Sequence, residues 1–288
     1  MKYLEDKLET KTLIKVPTIT QFNDNKNELN QPLLKLVVID TETTGLNHEK
    51  DEIIELGYTI IEFDREGNLY DVVERFDQFQ EPSNKISDEI FAVTGISNED
   101  VAGKSIDWEA VENSFNEHDV VLFIAHNAGF DRKFLEHKSE IFKNVLWGCS
   151  QSMVNYLDLF GSSKNNQEFL VWKVCDSFYD AHRAIDDVNA LSFLISHKDE
   201  NDKTILKHIL EAVKQPDFIV QAKNAPFDDK DALKNMGCQW NATKKVWQIK
   251  TTKDNVESVK SMIKKASPRC TPNVFETKIA DRFSVRAE

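Results

Sequence analysis

KLVVIDTET, residues 35–43, is a short unbroken apolar run closed by two acids, Asp40 and Glu42. A strand with one face in water would alternate apolar and polar residues, so this run predicts a central strand buried on both faces. The neighbouring segments extend the reading. EIIELGYTIIEF (52–63) and NLYDVVERFDQF (68–79) are two further strands, separated by Asp64, Arg65, Glu66 and Gly67 as a hairpin turn. DVVLFIA (119–125) is a second buried strand, running into HNAGFDRKFLEHK (126–138), where Phe130, Phe134 and Leu135 recur at helical spacing. Ser87 and Gly95 bracket a short capped helix within 87–97. Helices are also predicted over 107–117, 151–160, 167–179, 181–198 and 202–214. The helix over 181–198 places Ile185, Val188 and Leu191 on one stripe. Strands first and helices afterwards predict an α/β fold, a mixed sheet flanked by helices.

A chain of 288 residues is long enough for about two domains. Residues 1–33 are polar and read as a loosely structured lead-in, and 34–214 hold the main domain. Gln215-Pro216 discourages further helix, and 215–267 read as a small α+β module of β-α-β-α order. Residues 268–288, with Pro268, Pro272 and scattered charges, read as a flexible tail.

The 40% hydrophobic and 30% charged fractions exclude a disordered or fibrous chain, and nine glycines with seven prolines exclude a collagen-like one. No run approaches the roughly 20 apolar residues of a membrane span. The first eleven residues alternate charges where a signal peptide is apolar. A cytoplasmic protein without a membrane partner is expected. Cys149, Cys175, Cys238 and Cys270 are far apart, with no C-x-x-C spacing, and read as reduced thiols. The net charge of −13 is unevenly spread: residues 1–215 hold 22 Lys and Arg against 40 Asp and Glu, and residues 216–288 hold 14 against 9. Acidity does not exclude a polyanionic partner when the carboxylates hold divalent cations.

Asp40 and Glu42 are two residues apart on an extended backbone, so both carboxylates project to one face. Such neighbours repel unless a hard, oxygen-seeking cation such as Mg²⁺ or Mn²⁺ lies between them. A lone D-x-E is otherwise a solvated strand end. Asp131 follows the His126 that ends the second buried strand, and Asp187 lies on the amphipathic helix, five residues after His182. That spacing separates His182 from Asp187 by about 140° on a helix, which puts His182 in the preceding loop or first turn.

DTETTGL (40–46), HNAGFD (126–131) and HRAIDD (182–187) together resemble the three motifs of the DEDDh 3′-to-5′ exonucleases, the family of the proofreading epsilon subunit of bacterial DNA polymerase III. VTGIS (93–97) resembles a further family segment, and the likeness covers about residues 35–198. The resemblance implies a ribonuclease H-like sheet. It makes Asp40, Glu42, Asp131 and Asp187 the ligands of two divalent metal ions, Mg²⁺ or Mn²⁺, and His182 the general base. The partner is then a nucleic acid with a free 3′ end, and the products are nucleoside 5′-monophosphates. Two metals would activate a water and stabilise the attacking and leaving oxygens of an in-line displacement, and an imidazole near pKa 6.5 suits the proton transfer. Family spacing selects Asp187 over Asp186. The resemblance also implies that Thr43, Thr44 and Leu46 line the terminal-nucleotide pocket, with Thr94, Asn127 and Phe130 nearby. Phe130 reads equally well as core packing and Asn127 as a helix cap, and His126 reads as structural.

In the C-terminal module, Lys230, Lys234, Lys244, Lys245 and Lys250 accompany Trp240 and Trp247. Lysines with accessible aromatics can track a phosphate backbone, whereas a very small domain needs its tryptophans in the core. The lysines are candidate nucleic-acid contacts and the tryptophans are expected in the core. The module does not resemble the polymerase-binding tail of the proofreading subunit, and the sequence names no polymerase or other protein partner. Two alternatives share these motifs: an RNA-trimming exoribonuclease of the same fold, and a non-catalytic nucleic-acid-binding or polymerase-associated adaptor.

Overall fold

The computed structural model describes residues 12–29, 31–242 and 244–287. Its main unit is built on a five-stranded mixed sheet. In chain order the strands are β1 (Leu34–Thr43), β2 (Ile53–Phe63), β3 (Leu69–Phe79), β4 (Val120–Ala125) and β5 (Leu146–Cys149). Their spatial order is β3-β2-β1-β4-β5. β1, β2 and β3 pair antiparallel, while β4 and β5 run parallel to β1. This is the mixed sheet that the sequence predicts. The sequence reading omitted β5, because LWGC is too short to show a period.

Alternation along β1 decides what each face carries. Leu36 and Val38 enter one core with Val188, Leu191 and Leu194, while Val37 and Ile39 enter a second core with Phe115, Phe123 and Phe134. All four β1 residues are fully buried, and each such side chain contributes roughly 1.5–3 kcal/mol over an exposed one. On the first face lie helices α4 (Gln167–Cys175), α5 (Ala184–Ser196) and α6 (Ile205–Val213). On the second lie α2 (Trp108–Glu117) and α3 (Ala128–Leu135). The earlier helix α1 (Asp88–Thr94) has Ser87 as its N-cap, with the Ser87 hydroxyl accepting from the Ile90 N–H, and Gly95 at its C-cap in the left-handed region.

α5 lies against the sheet at Gly57 of β2. A Cβ added there would sit 2.6 Å from the Ala184 carbonyl carbon and 2.7 Å from the Ile185 nitrogen. Only glycine lets the helix start come this close to the strand paired with Asp40, since Gly57 and Asp40 are register partners.

Two expectations are corrected. The lead-in is laid along the domain over its described part: Ile14–Lys15 pairs in parallel with Ser177–Phe178, Val16 and Ile19 are buried, and the Asn189 side chain donates to the Pro17 carbonyl at 2.6 Å. The apolar residues Leu13, Ile14, Val16, Ile19 and Phe22 hold no steady strand or helix period, so the sequence pattern does not signal docking. Residues 1–11 lie outside the described residues.

The C-terminal segment is also not a flexible tail. The small unit has strands β6 (Phe218–Lys223), β7 (Gln239–Asn241), β8 (Val246–Thr251) and β9 (Thr271–Glu276), with helices α7 (Lys230–Asn235) and α8 (Val256–Ala266). The antiparallel order is β9-β6-β8-β7, so the supposed tail supplies an edge strand and the element order is β-α-β-β-α-β. Beyond it, Arg282 is 3% exposed, donates to the Ala212 carbonyl at 2.9 Å and pairs with Asp217. Fully buried Arg132 of α3 donates to the Arg282 carbonyl at 2.6 Å and the Ala280 carbonyl at 2.8 Å. These buried guanidinium contacts fix residues 279–284 on the main unit.

Candidate active site

Asp40 and Glu42 share the parity of Leu36 and Val38, so they emerge on the face that carries α5. Asp187 precedes the buried Val188 on that helix. Asp40, Glu42 and Asp187 each offer a carboxylate oxygen within 4.8 Å of the others, a grouping that can hold a metal ion. Thr41 has the opposite parity and faces α3. Its N–H and hydroxyl both donate to Asp131 Oδ1, at 3.1 and 2.9 Å. Asp131 therefore approaches the end of β1 from the other face of the sheet, buried at 3% exposure. Its oxygens are not part of the 4.8 Å group, but its charge acts on Asp40 and Glu42.

The electrostatics fit a cation-binding cradle. Burial, then the charges of Asp131, Asp187 and Glu42, hold the Asp40 carboxyl well above the usual carboxylate range. Burial and the Asp187 charge push Glu42 up to about 8. Burial raises Asp131 to about 7 against the lowering effect of its Thr41 hydrogen bonds. Asp187 is raised by burial too, opposed by its own donors. Carboxylates gathered this way are stabilised by a divalent cation, which supplies the missing positive charge.

Asp187 is held on both oxygens. Tyr179 Oη donates to Oδ1 at 2.7 Å, Gln167 Nε2 to Oδ1 at 3.2 Å, and the His182 backbone N–H to Oδ2 at 2.8 Å. His182 is exposed, with φ 69°, and precedes the α5 N-cap residue Arg183. The imidazole thus belongs to a loop, as its spacing from Asp187 predicts. Asp186 is exposed and outside the cluster.

A second charged group adjoins the first. Glu55 is fully buried and is the register partner of Glu42. Arg183 grips it through NH2 at 2.9 Å and Nε at 3.1 Å, and the Ala184 N–H donates to its Oε2 at 3.0 Å. Arg183 offers no side-chain cap to α5, so the Glu55 carboxylate satisfies the helix start in its place. The Arg183 guanidinium also lies 5.1 Å over the Phe79 ring, and its charge lowers the pKa of Glu42. Asp77, the partner of Gly57, is raised to about 6, first by burial and then by Glu55.

The other anticipated residues divide. In the loop after β1, the Thr43 hydroxyl donates to the Gly45 carbonyl at 2.6 Å and the Thr44 hydroxyl accepts from the Glu52 N–H at 2.9 Å. Those bonds shape a loop that holds Leu46 out at 87% exposure. The Thr94 hydroxyl is engaged by its own helix end, with the Ile90 carbonyl and the Ile96 N–H. Asn127 is exposed and makes no side-chain cap bond for α3, and Phe130 packs on Phe134 at 4.9 Å. His126 is structural: its ring nitrogens meet Ser150 Oγ and the Asn165 carbonyl, each at 2.7 Å, and burial lowers it to about 4.

Thr41, Glu55, Arg183, Tyr179 and Gln167 were not singled out from sequence. Glu55 is marked in the sequence as a lone acid inside IIELGYTII, because a buried carboxylate needs a cation beside it. Thr41 was legible from parity with Asp40. Nothing local marks Tyr179 or Gln167.

A family model described as "Exonuclease" (RNase_T) matches residues 37–194, which span β1 through most of α5 and every residue of the acidic cluster. The chain belongs to this exonuclease family. Among curated proteins, the chain is similar to DNA polymerase III PolC-type of Halalkalibacterium halodurans, with 32% identity over 193 residues, 63% of this chain and 13% of that protein. The PolC-type polymerase of Staphylococcus haemolyticus is 29% identical over 187 residues, 58% of this chain and 12% of that protein. The chain therefore spans only about an eighth of the length of these relatives. A solved structure of exonuclease X in complex with 5′ overhanging duplex DNA has 20% identity and a TM-score of 0.40, covering 62% of this chain and 91% of that one. No helix among the described residues is long and apolar enough to cross a membrane.

Proposed function

We propose that the chain removes nucleotides one at a time from the 3′ end of DNA, hydrolysing phosphodiester bonds to release nucleoside 5′-monophosphates. The observation that carries this is the meeting of Asp40, Glu42 and Asp187 within 4.8 Å, with Asp131 behind them. Asp40, Glu42, Asp131 and Asp187 would hold two divalent ions, Mg²⁺ or Mn²⁺, since all-oxygen, carboxylate-rich ligands suit hard cations. Bound there, the ions supply charge stabilisation at phosphorus and a more acidic water.

The chain's own residues do the rest. The His182 imidazole, exposed on its loop, takes the proton from the attacking water. Its backbone N–H keeps the loop tied to Asp187 during that transfer. Thr43 and Thr44 set the loop that presents Leu46 to the terminal base, and Asn127 and Phe130 border the same end of the sheet. Arg183 and Glu55 anchor the start of α5, so that Asp187 stays in place while charge builds up. The PolC-type DNA polymerase relatives favour DNA over RNA as substrate.

Digestion of single strands of DNA and RNA, labelled at either end, tests this. The expected result with Mg²⁺ is a ladder shortening gradually from a 5′ label, and immediate release of a 3′ label as mononucleotide, faster on DNA. Internal fragments would contradict exonucleolytic action, and RNA cleavage alone would contradict the DNA assignment. Binding without shortening would support an adaptor instead.

A further inference from the structure

Resting on the nuclease reading above, we propose that the cleft between α3 and the open face of the C-terminal sheet binds the single strand upstream of the scissile 3′ nucleotide. The cleft has two adjoining parts of about 400 and 680 Å³, both lined by Gly129, Gln239, Lys250 and Phe283. The two parts adjoin through these residues, and the second reaches Asn127 and Cys149, which follow β4 and end β5. One end of an elongated ligand would thus lie at the end of the sheet that carries the acids of β1, while its body runs along the module.

The lining suits a polynucleotide. Val220 and Ala222 of β6, and Trp247 and Ile249 of β8, turn to the helix-covered core of the module. By alternation Gln248 and Lys250 turn to the opposite face, beside Gln239 and Asn241 of β7. That face meets α3 across the cleft with amides and a lysine, donors and acceptors suited to bases and phosphates. Phe283 lies at the junction of the two parts with Lys250 Nζ 5.7 Å from its ring centre, whereas the Trp240 ring, 51% exposed and so outside the core expected for it, packs on Trp247 at 5.6 Å on the other face of the sheet. The positive balance of residues 216–288 opposes the acidic main unit, which gives a polyanion a reason to cross to the module.

The cleft is also preformed. The buried contacts of Arg132 and Arg282 fix the residues after β9 against both walls, and the Ser284 hydroxyl donates to Glu136 of the α3 C-cap at 2.7 Å. Of the five lysines singled out from sequence, Lys250 alone lines this space. Lys230 and Lys234 ride on α7, which packs on the other side of the sheet, and Lys244 and Lys245 lie in the β7–β8 turn.

The test is fluorescence anisotropy of labelled 20-nucleotide single strands, DNA and RNA, with the full chain in chelator so that no turnover intervenes. Lys250→Glu and Gln248→Glu are each expected to weaken binding about 5- to 10-fold and to flatten its salt dependence, while Lys230→Glu leaves it within about 2-fold. Hydrolysis of the p-nitrophenyl ester of thymidine 5′-monophosphate, which occupies only the catalytic pocket, is expected to be equal in all three variants and the parent. Unchanged binding in Lys250→Glu and Gln248→Glu, or an equal loss in Lys230→Glu, would overturn the proposal. A parent protein that binds strands through the cleft and yet hydrolyses no ester would instead contradict the nuclease reading and leave the cleft standing.

Discussion

The backbone N–H of His182 donates to Asp187 Oδ2 at 2.8 Å, so the residue assigned proton transfer and the last of the four acids share one hydrogen bond. The bond comes from the main chain and does not require the imidazole. Replacing the imidazole therefore separates the two roles. His182→Ala is expected to lower kcat by about 10²- to 10⁴-fold while Mn²⁺ affinity, read by calorimetry, stays within about 3-fold. Loss of both together would show that the imidazole is needed to build the site.

Asp186 and Asp187 are adjacent in sequence but differ in setting, one exposed and the other held by Tyr179, Gln167 and His182. Asp187→Ala should abolish cleavage and Mn²⁺ binding. Asp186→Ala should keep most of the activity. Equal losses in a steady-state assay would undo the ligand assignment.

Tyr179 acts on the acidic cluster through Asp187 alone among those acids, by its 2.7 Å bond to Oδ1. Partners of this kind typically affect metal affinity 10- to 100-fold. Tyr179→Phe keeps the ring, so about a 10-fold rise in the Mg²⁺ concentration for half-maximal rate is expected, with kcat at saturating Mg²⁺ little changed. A fall in kcat that excess Mg²⁺ cannot restore would contradict a role limited to orienting Asp187.

Metal-free stability carries a pH signature. The folded-state pKa values of Glu42 and Asp131, about 8 and about 7, lie above their ordinary values of 4.5 and 3.8. Groups raised on folding favour the folded state while protonated, and that contribution fades as pH climbs through the folded values. The chelated protein should therefore melt at lower temperature at pH 8 than at pH 5. With the proposed metal site on the ionised acids, added Mg²⁺ should raise Tm more at pH 8 than at pH 5, by at least about 3 °C. Equal Mg²⁺ protection at both values, measured by calorimetry, would argue against the acids as its site.

β1 is legible as an unbroken apolar run and α5 as a helical stripe, and the structure keeps both because β1 is buried on both faces and α5 on one. The parity that put Leu36 and Val38 with Val188 also put Asp40 and Glu42 with Asp187. That part of the site was legible. The Asp131 approach from the opposite face through Thr41, and the Arg183 grip on Glu55, depend on which helix covers which side of the sheet. Strand order decides that, and no local window contains it. The edge strand Thr271–Glu276 was hidden for a similar reason: it is short, carries Pro272, and gains its stability only by pairing with β6.

The four-acid metal site is tested by the rate of 3′-end shortening of a 5′-labelled strand by chelator-stripped protein as Mg²⁺ is returned, for the parent and for Asp40→Asn. No shortening is expected before Mg²⁺ is added, with recovery that saturates in the parent and no recovery in the variant. Shortening by stripped parent at the full rate, or recovery of Asp40→Asn at the parental Mg²⁺ concentration, would contradict it.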